Sequence, residues 1–432
     1  MSNKEQFGSS FAAIAALAGS AIGLGCIWRF PYMVGENGGA AFIIIYFAAS
    51  LLLCVPIFFA EFIIGRRSGA NCLGAMRKLA PDSGWKWLGA LCILIPTIIL
   101  SYYAVVGGWS VAYLLKSCTL DFPSFESFSA SKWASVSAFI VYMLISCLIV
   151  AGGVRKGIET FSKISIPILF ILIVFLAIYA LTLKGSAGGV EYLLKPDWGK
   201  VNAQTFVNAL GQSFYSLSLG MGIIVTYASY ISKKDDTVLY GVGTAGFTLF
   251  FAMLAGLVIM PAVFAAGIEP GSGPGLVFDS LPFIFTQLSE ASPVLGTLVA
   301  VFFFLTVSIA ALTSSISLIE VPVAWLIEEK GFRRWKATLL VFIVTTAVGA
   351  ICAVDLGFFE FLDKLCCNFL LPIGGILCVA FVGWRMSKAD VLDEFSSGGI
   401  REGNKKIFRV IYFIIKYVAP VAVAVIFLSN FI

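Results

Sequence analysis

The chain has 432 residues, of which 59% are hydrophobic and only 12% charged, and its mean hydropathy is +0.97. That balance excludes a soluble globular domain and requires segments that cross a bilayer. The formal net charge is +5 with no histidine anywhere, which removes the commonest general base, the Ser-His-Asp triad and most zinc sites.

About 20 consecutive apolar residues suffice to span a membrane as a helix. Eleven such stretches run from end to end with no soluble domain between them: 8–33, 41–65, 87–115, 134–152, 162–183, 205–231, 239–266, 293–327, 337–354, 361–384 and 407–431. The first contains "GSAIGLGCIWRFPY" (19–32), where three glycines, a serine, an arginine and a proline interrupt the apolar run. Each glycine costs about 1 kcal/mol against alanine in a helix interior, and proline removes a backbone hydrogen bond. The segment is too long and lacks the small-residue cleavage pattern of a signal peptide, so it is expected to remain in the mature chain.

The sixth stretch is interrupted in the same way by "SLSLGMG" (216–222). Interrupted segments at corresponding positions of two halves mark an inverted-repeat transporter with its site at the midplane. The expected fold is therefore an all-α polytopic membrane protein of eleven transmembrane helices. A first five-helix repeat (8–183) is followed by an inverted second repeat (205–384), and an additional helix (407–431) completes a single transporter domain. Inside a bilayer, freed N–H and C=O groups are tolerated only where they face protein, ion or solute. Half-helix amino ends attract an anionic group and carboxyl ends offer carbonyls to a cation.

The remaining motifs are negative. No G-x-x-x-x-G-K-[ST] occurs, and "GSGPG" (271–275) has no lysine, so it reads as a loop turn rather than a phosphate cradle. No constellation of carboxylates in the spans suggests an enzyme. The ten cysteines form no C-x-x-C and fall mostly within spans, including Cys26, Cys54, Cys92, Cys147, Cys352 and Cys378, with Cys366 and Cys367 near the start of the tenth; they are expected to be reduced packing residues. With the amino terminus placed in the cytoplasm, twenty lysines and arginines fall in cytoplasmic segments and five in outer loops. The positive-inside rule then puts the carboxyl terminus outside. Basic residues scattered over short loops do not form a nucleic-acid surface, so the expected partners are membrane lipid and a small solute.

The runs "AGSAIGLGCIWRFPY", "ENGGAAFIIIY", "GQSFYSLSLGMG", "TYASY" and "LTSSISLIEVP" resemble the neurotransmitter:sodium symporter family along nearly the whole chain, in the eleven-span form of many bacterial members. The resemblance implies a sodium-coupled secondary symporter of a bacterial plasma membrane, importing a neutral, hydrophobic amino acid by alternating access. A sensor that binds an amino acid without transporting it is the alternative on the same fold. By matching position, the resemblance assigns substrate contacts to Ser20, Ala21, Leu24, Gly25, Ile99, Tyr103, Tyr215, Ser216, Ser218, Met221, Ser314 and Leu318. Family members for monoamines carry an aspartate where this chain has Ser20, which favours a ligand with its own carboxylate.

For ions, the resemblance places a second sodium site at Gly19, Ile22, Ala310, Thr313 and Ser314. The last three share a helix face at i, i+3 and i+4, and hard cations prefer oxygen. The first sodium site matches Ala21, Cys26, Ser216 and Thr248. Cys26 stands where the family has asparagine, and a neutral thiol is a soft, weak ligand for sodium, so this site is expected to be weak, remodelled or lost. Chloride-site positions match Tyr46, Gln212, Ser216 and Thr248, but Ala252 replaces the serine or carboxylate that decides dependence, which argues against a strict chloride requirement. An outer gate is expected from Arg29 with Asp363, Glu360 being a rival partner, and an inner gate from Lys4 with Glu328, supported by Phe7 and Tyr230. Glu61 and Glu320 are intramembrane carboxylates, either of which could satisfy amides freed by the helix breaks or carry a proton, and the sequence does not choose between these roles.

Overall fold

The computed structural model describes residues 5–270 and 276–429. These contain no β-strand, only an isolated bridge between Gly39 and Pro196. Nine helices among the described residues are long and apolar enough to cross a membrane: Ala40–Ser68, Lys86–Ser117, Lys132–Ala151, Val154–Thr182, Thr237–Ala265, Pro293–Lys330, Arg334–Val354, Leu356–Arg385 and Asn404–Val425. A tenth span is the pair Ser10–Ala21 and Gly25–Glu36, bent by 49°. The sixth expected span is also present but too fragmented to pass by length, because its helices Ala203–Ser216 and Ile223–Ala228 are separated by residues 217–222. Spans are numbered one to eleven below, and the face where the chain begins is called the near face.

The two broken spans sit at the centre. Ser10–Ala21 starts at Ser9, whose hydroxyl accepts from the Ala12 N–H at 3.2 Å. Its sequence "SFAAIAALAGSA" is almost entirely alanine, glycine and serine on the buried side, so spans five, seven and eight close directly onto it. In a bilayer, where lipid is as apolar as leucine, small residues allow the close approach that drives helix association. The same device holds the sixth span. A Cβ added to Gly65 of span two would collide with the Val225 carbonyl, and one on Gly374 of span ten with the Gly220 carbonyl. Span eight runs 38 residues, packs along span three and carries the 310–318 face toward the first break.

The sixth break turns through Ser218 (φ 54°), Gly220 (φ 77°) and Gly222 (φ 73°), all left-handed. Glycine adopts this region freely; serine does so at a cost, and Ser218 is tied down by its hydroxyl, as described below. All ten cysteines are free thiols. Three of them come from separate elements and meet beside Gly222: Cys92 neighbours both Cys72 and Cys378, and the Cys72 thiol donates to the Gly222 carbonyl at 3.4 Å.

Replacing Gly65 with valine forces side chain into backbone and is expected to destabilise the protein by about 1–3 kcal/mol, read as a lower unfolding temperature in detergent. Gly246→Ala, at a helical position with nothing within 4 Å, is the control and should leave that temperature unchanged or raise it.

Candidate functional site

The two breaks face one another and satisfy much of each other's backbone. The Ser20 carbonyl accepts from the Ser218 hydroxyl at 2.8 Å and from the Ser314 hydroxyl at 3.0 Å. The Leu24 N–H donates to the Tyr103 hydroxyl of span three at 3.1 Å, leaving the phenol proton directed elsewhere. Gln212 donates to the Gly25 carbonyl at 2.8 Å and to the Ser216 hydroxyl at 2.9 Å. Glu61, fully buried on span two, accepts from the Gly220 N–H at 2.7 Å. That gives this carboxylate a role the sequence left open.

A small cavity of ≈ 20 Å³ lies between the breaks. Of the twelve expected substrate contacts, it is lined by Ser20, Ala21, Gly25, Ile99, Tyr103, Tyr215, Ser218, Met221, Ser314 and Leu318. Leu24 and Ser216 are not on its wall: Leu24 contributes its N–H to Tyr103, and Ser216 turns to Gln212. Gly23 and Ile223 line it and were missed. Gly23 offers no side chain to notice, yet a Cβ there would crowd the Ser314 and Tyr103 hydroxyls; Gly25 would similarly strike the Tyr215 ring. No acid or base lines the cavity, so a bound solute must balance its own charge.

One turn away, five oxygens converge. The Thr313 hydroxyl lies 3.4 Å from the Ile22 carbonyl and 2.9 Å from that of Ala310, and the Ser314 hydroxyl lies 3.4 Å from the Gly19 carbonyl. These are the residues matched to the second sodium site, and an all-oxygen, uncharged set suits a hard monovalent cation. The residues matched to the first site are differently arranged. The Cys26 thiol donates to the Ala21 carbonyl at 3.5 Å, and Thr248 donates back to its own helix at Thr244, 2.8 Å away. The buried Tyr46 hydroxyl, Gln212 Oε1 and Thr244 hydroxyl beside them have no partner among the described residues.

The gates depart from expectation. Arg29 forms no ion pair with Asp363 among the described residues; its guanidinium lies over the Tyr215 ring, 5.2 Å from the centroid. A planar, weakly hydrated cation stacks well on an aromatic face, and a polar vestibule of ≈ 210 Å³ lined by Arg29, Tyr215, Cys367 and Asn368 separates it from the tenth span. Asp363 instead accepts from the Cys367 thiol at 3.5 Å, while Glu360 pairs with Lys364 at 3.3 Å. At the near face Lys4 lies outside the described residues, and Glu328 accepts from the Asn71 N–H at 2.7 Å. Tyr230 donates to Glu320 at 2.7 Å. Arg334 clamps Glu320 with both nitrogens, at 2.8 and 3.0 Å, and Phe7 packs edge-on against Tyr227 and Tyr230. In the sequence Arg334 is one of the twenty lysines and arginines of the cytoplasmic segments, with nothing to single it out.

Paired broken helices around a midplane cavity define the inverted-repeat class of secondary transporters. A family model described as the sodium:neurotransmitter symporter family matches residues 4–135 and 124–432. An uncharacterized sodium-dependent transporter of Bacillus subtilis is 35% identical, covering 98% of this chain and 97% of its own. Another from Haemophilus influenzae is 33% identical over 99% and 98%. The crystal structure of MhsT in complex with L-phenylalanine is similar with a TM-score of 0.90 at 37% identity, covering 99% of this chain and 100% of that one. The chain belongs to the sodium:neurotransmitter symporter family. It is a multi-pass, sodium-dependent transporter and not an enzyme.

The Glu320 side chain is 0% exposed, so Arg334→Ala strands a buried charge and should cost about 3–5 kcal/mol. Adding Glu320→Gln should recover most of that loss in thermal unfolding; no recovery would show that Arg334 acts elsewhere.

Proposed function

We propose that the protein imports a neutral, hydrophobic amino acid with sodium by alternating access. The observation that carries this reading is the cavity itself: its polar groups are backbone and hydroxyls at one side, and its other walls are Ile99, Met221, Ile223 and Leu318. A zwitterion fits that division. Its carboxylate would meet the amino end of the helix beginning at Gly25 and the free proton of Tyr103, and its ammonium would meet carbonyls freed by the breaks. Tyr215 would lie over the side chain as a lid, held from above by Arg29. The phenylalanine bound in the similar MhsT structure supports an aromatic or aliphatic side chain.

Sodium would bind at Gly19, Ile22, Ala310, Thr313 and Ser314, bridging the first span to the eighth. Both hydroxyls would then turn their protons away from the ion and coordinate through oxygen. Cys26 makes the first site a poor cation ligand set, so one sodium ion accompanies each substrate. Ala252 adds no group for an anion, and chloride is not required. The amino terminus lies in the cytoplasm of a bacterial cell and the carboxyl terminus outside, as the distribution of basic residues favours. In this frame Glu320, Arg334, Tyr230 and Phe7 form the inner closure, and Arg29 with Tyr215 the outer one.

Purified protein in liposomes should accumulate radiolabelled L-phenylalanine or another hydrophobic amino acid when sodium is higher outside, and not when potassium replaces it. Thr313→Ala should raise the sodium concentration for half-maximal uptake about tenfold, the loss of one ligand oxygen from a charged partner. Saturable binding with neither uptake nor counterflow would instead establish a sensor.

A further inference from the structure

On the near face, an apolar groove of ≈ 510 Å³ is walled by Leu73 and by Trp87, Leu91 and Leu94 of span three, with Trp325 of span eight. It is open to the outside of the protein, where Trp87 is 71% and Leu94 51% exposed. Trp87 also borders a second, polar basin of ≈ 780 Å³ formed by Arg77, Asp82, Ser83 and Lys86. An apolar trough thus opens at its end into a hydrophilic one, with a tryptophan at the boundary.

Two features show what fits there. The Trp325 indole N–H is buried and has no acceptor among the described residues, and a buried donor left without a partner costs about 1–3 kcal/mol. Both tryptophans carry an ammonium over their rings: Lys86 lies 5.8 Å from the Trp87 centroid and Lys330 5.9 Å from that of Trp325. Neither lysine has a carboxylate partner among the described residues. The nearby acids are otherwise engaged or outlying: Arg77 binds Glu329, Glu328 accepts from Asn71, and Asp82 lies at the basin edge. The groove therefore offers an apolar slot with one orphan N–H donor on its wall, and beside its two tryptophans stand two ammonium groups without a carboxylate partner among the described residues.

We propose that this groove is a binding site for one anionic phospholipid. An acyl chain lies along Leu73, Leu91 and Leu94. A glycerol-ester or phosphate oxygen accepts from the Trp325 N–H, and Lys86 and Lys330 face the negative headgroup. Aromatic side chains settle at this depth of a bilayer, and basic residues beside an anionic leaflet each contribute about 1 kcal/mol. A zwitterionic lipid fills the slot equally well but leaves the two ammonium groups without net attraction.

The test uses the full-length protein, delipidated in detergent, with phosphatidylglycerol or phosphatidylcholine added at matched concentration. Native mass spectrometry should show one phosphatidylglycerol retained in preference to phosphatidylcholine, and the unfolding temperature should rise more with the former. Trp325→Phe should weaken retention of both lipids, since both carry the accepting oxygen, whereas the double variant Lys86→Gln, Lys330→Gln should weaken phosphatidylglycerol retention by about twentyfold or more, with phosphatidylcholine retention unchanged. Lys86→Gln alone, at an exposed position, serves if either of the others folds poorly, and should weaken retention about fivefold. Equal retention of both lipids by the wild type, or phosphatidylglycerol retention that these variants do not lower, would overturn the assignment.

Discussion

Everything in this protein depends on how two breaks in helices are satisfied inside a membrane. A bilayer core supplies no water, so every freed backbone group must find a partner within the protein or in what it binds. Here the partners are few and specific: Glu61 for the Gly220 N–H, Tyr103 for the Leu24 N–H, Gln212 for the Gly25 carbonyl, and the hydroxyls of Ser218 and Ser314 for that of Ser20. The groups between those anchors define the cavity. Close packing around the breaks follows from the same constraint, because only backbone-to-backbone approach through Gly65 and Gly374 brings spans two and ten near enough to hold the sixth.

Charge is treated with the same economy. Glu320 is sealed between Arg334 and Tyr230, and Arg66 of span two is sealed against Glu394, the two side chains being 0% and 1% exposed. Such pairs are weak contributors to net stability but costly to break singly, which suits contacts that must open together rather than fray. The substrate cavity has no fixed charge at all. This neutrality and the thiol at Cys26 support the proposed single cation and self-balanced solute.

Much of the architecture could be read from the sequence because membrane helices advertise themselves by length. The breaks were equally legible, since "GSAIGLGCIWRFPY" and "SLSLGMG" place helix-breaking residues where a bilayer tolerates them least. What could not be read is pairing across distance. Arg29 and Asp363 are opposite charges, yet the guanidinium lies on Tyr215, an aromatic face that suits a planar, weakly hydrated cation. Arg334 lies fourteen residues beyond Glu320, past the end of span eight, and no periodicity links them; only the chain's return as span nine brings them together. Gly23 escaped because a wall formed by backbone leaves no side-chain signature, and Ile223 because one isoleucine among the many of an apolar span carries no distinguishing signal.

The central claim is that the two breaks build one zwitterion site coupled to one sodium ion. Equilibrium binding of radiolabelled L-phenylalanine to the purified protein, measured across sodium concentrations at constant ionic strength, tests it most directly. The account predicts saturable binding of one ligand per chain, requiring sodium, with a Hill coefficient near one for the ion. Binding that is indifferent to sodium, or that needs two ions cooperatively through the site holding Cys26, would contradict it.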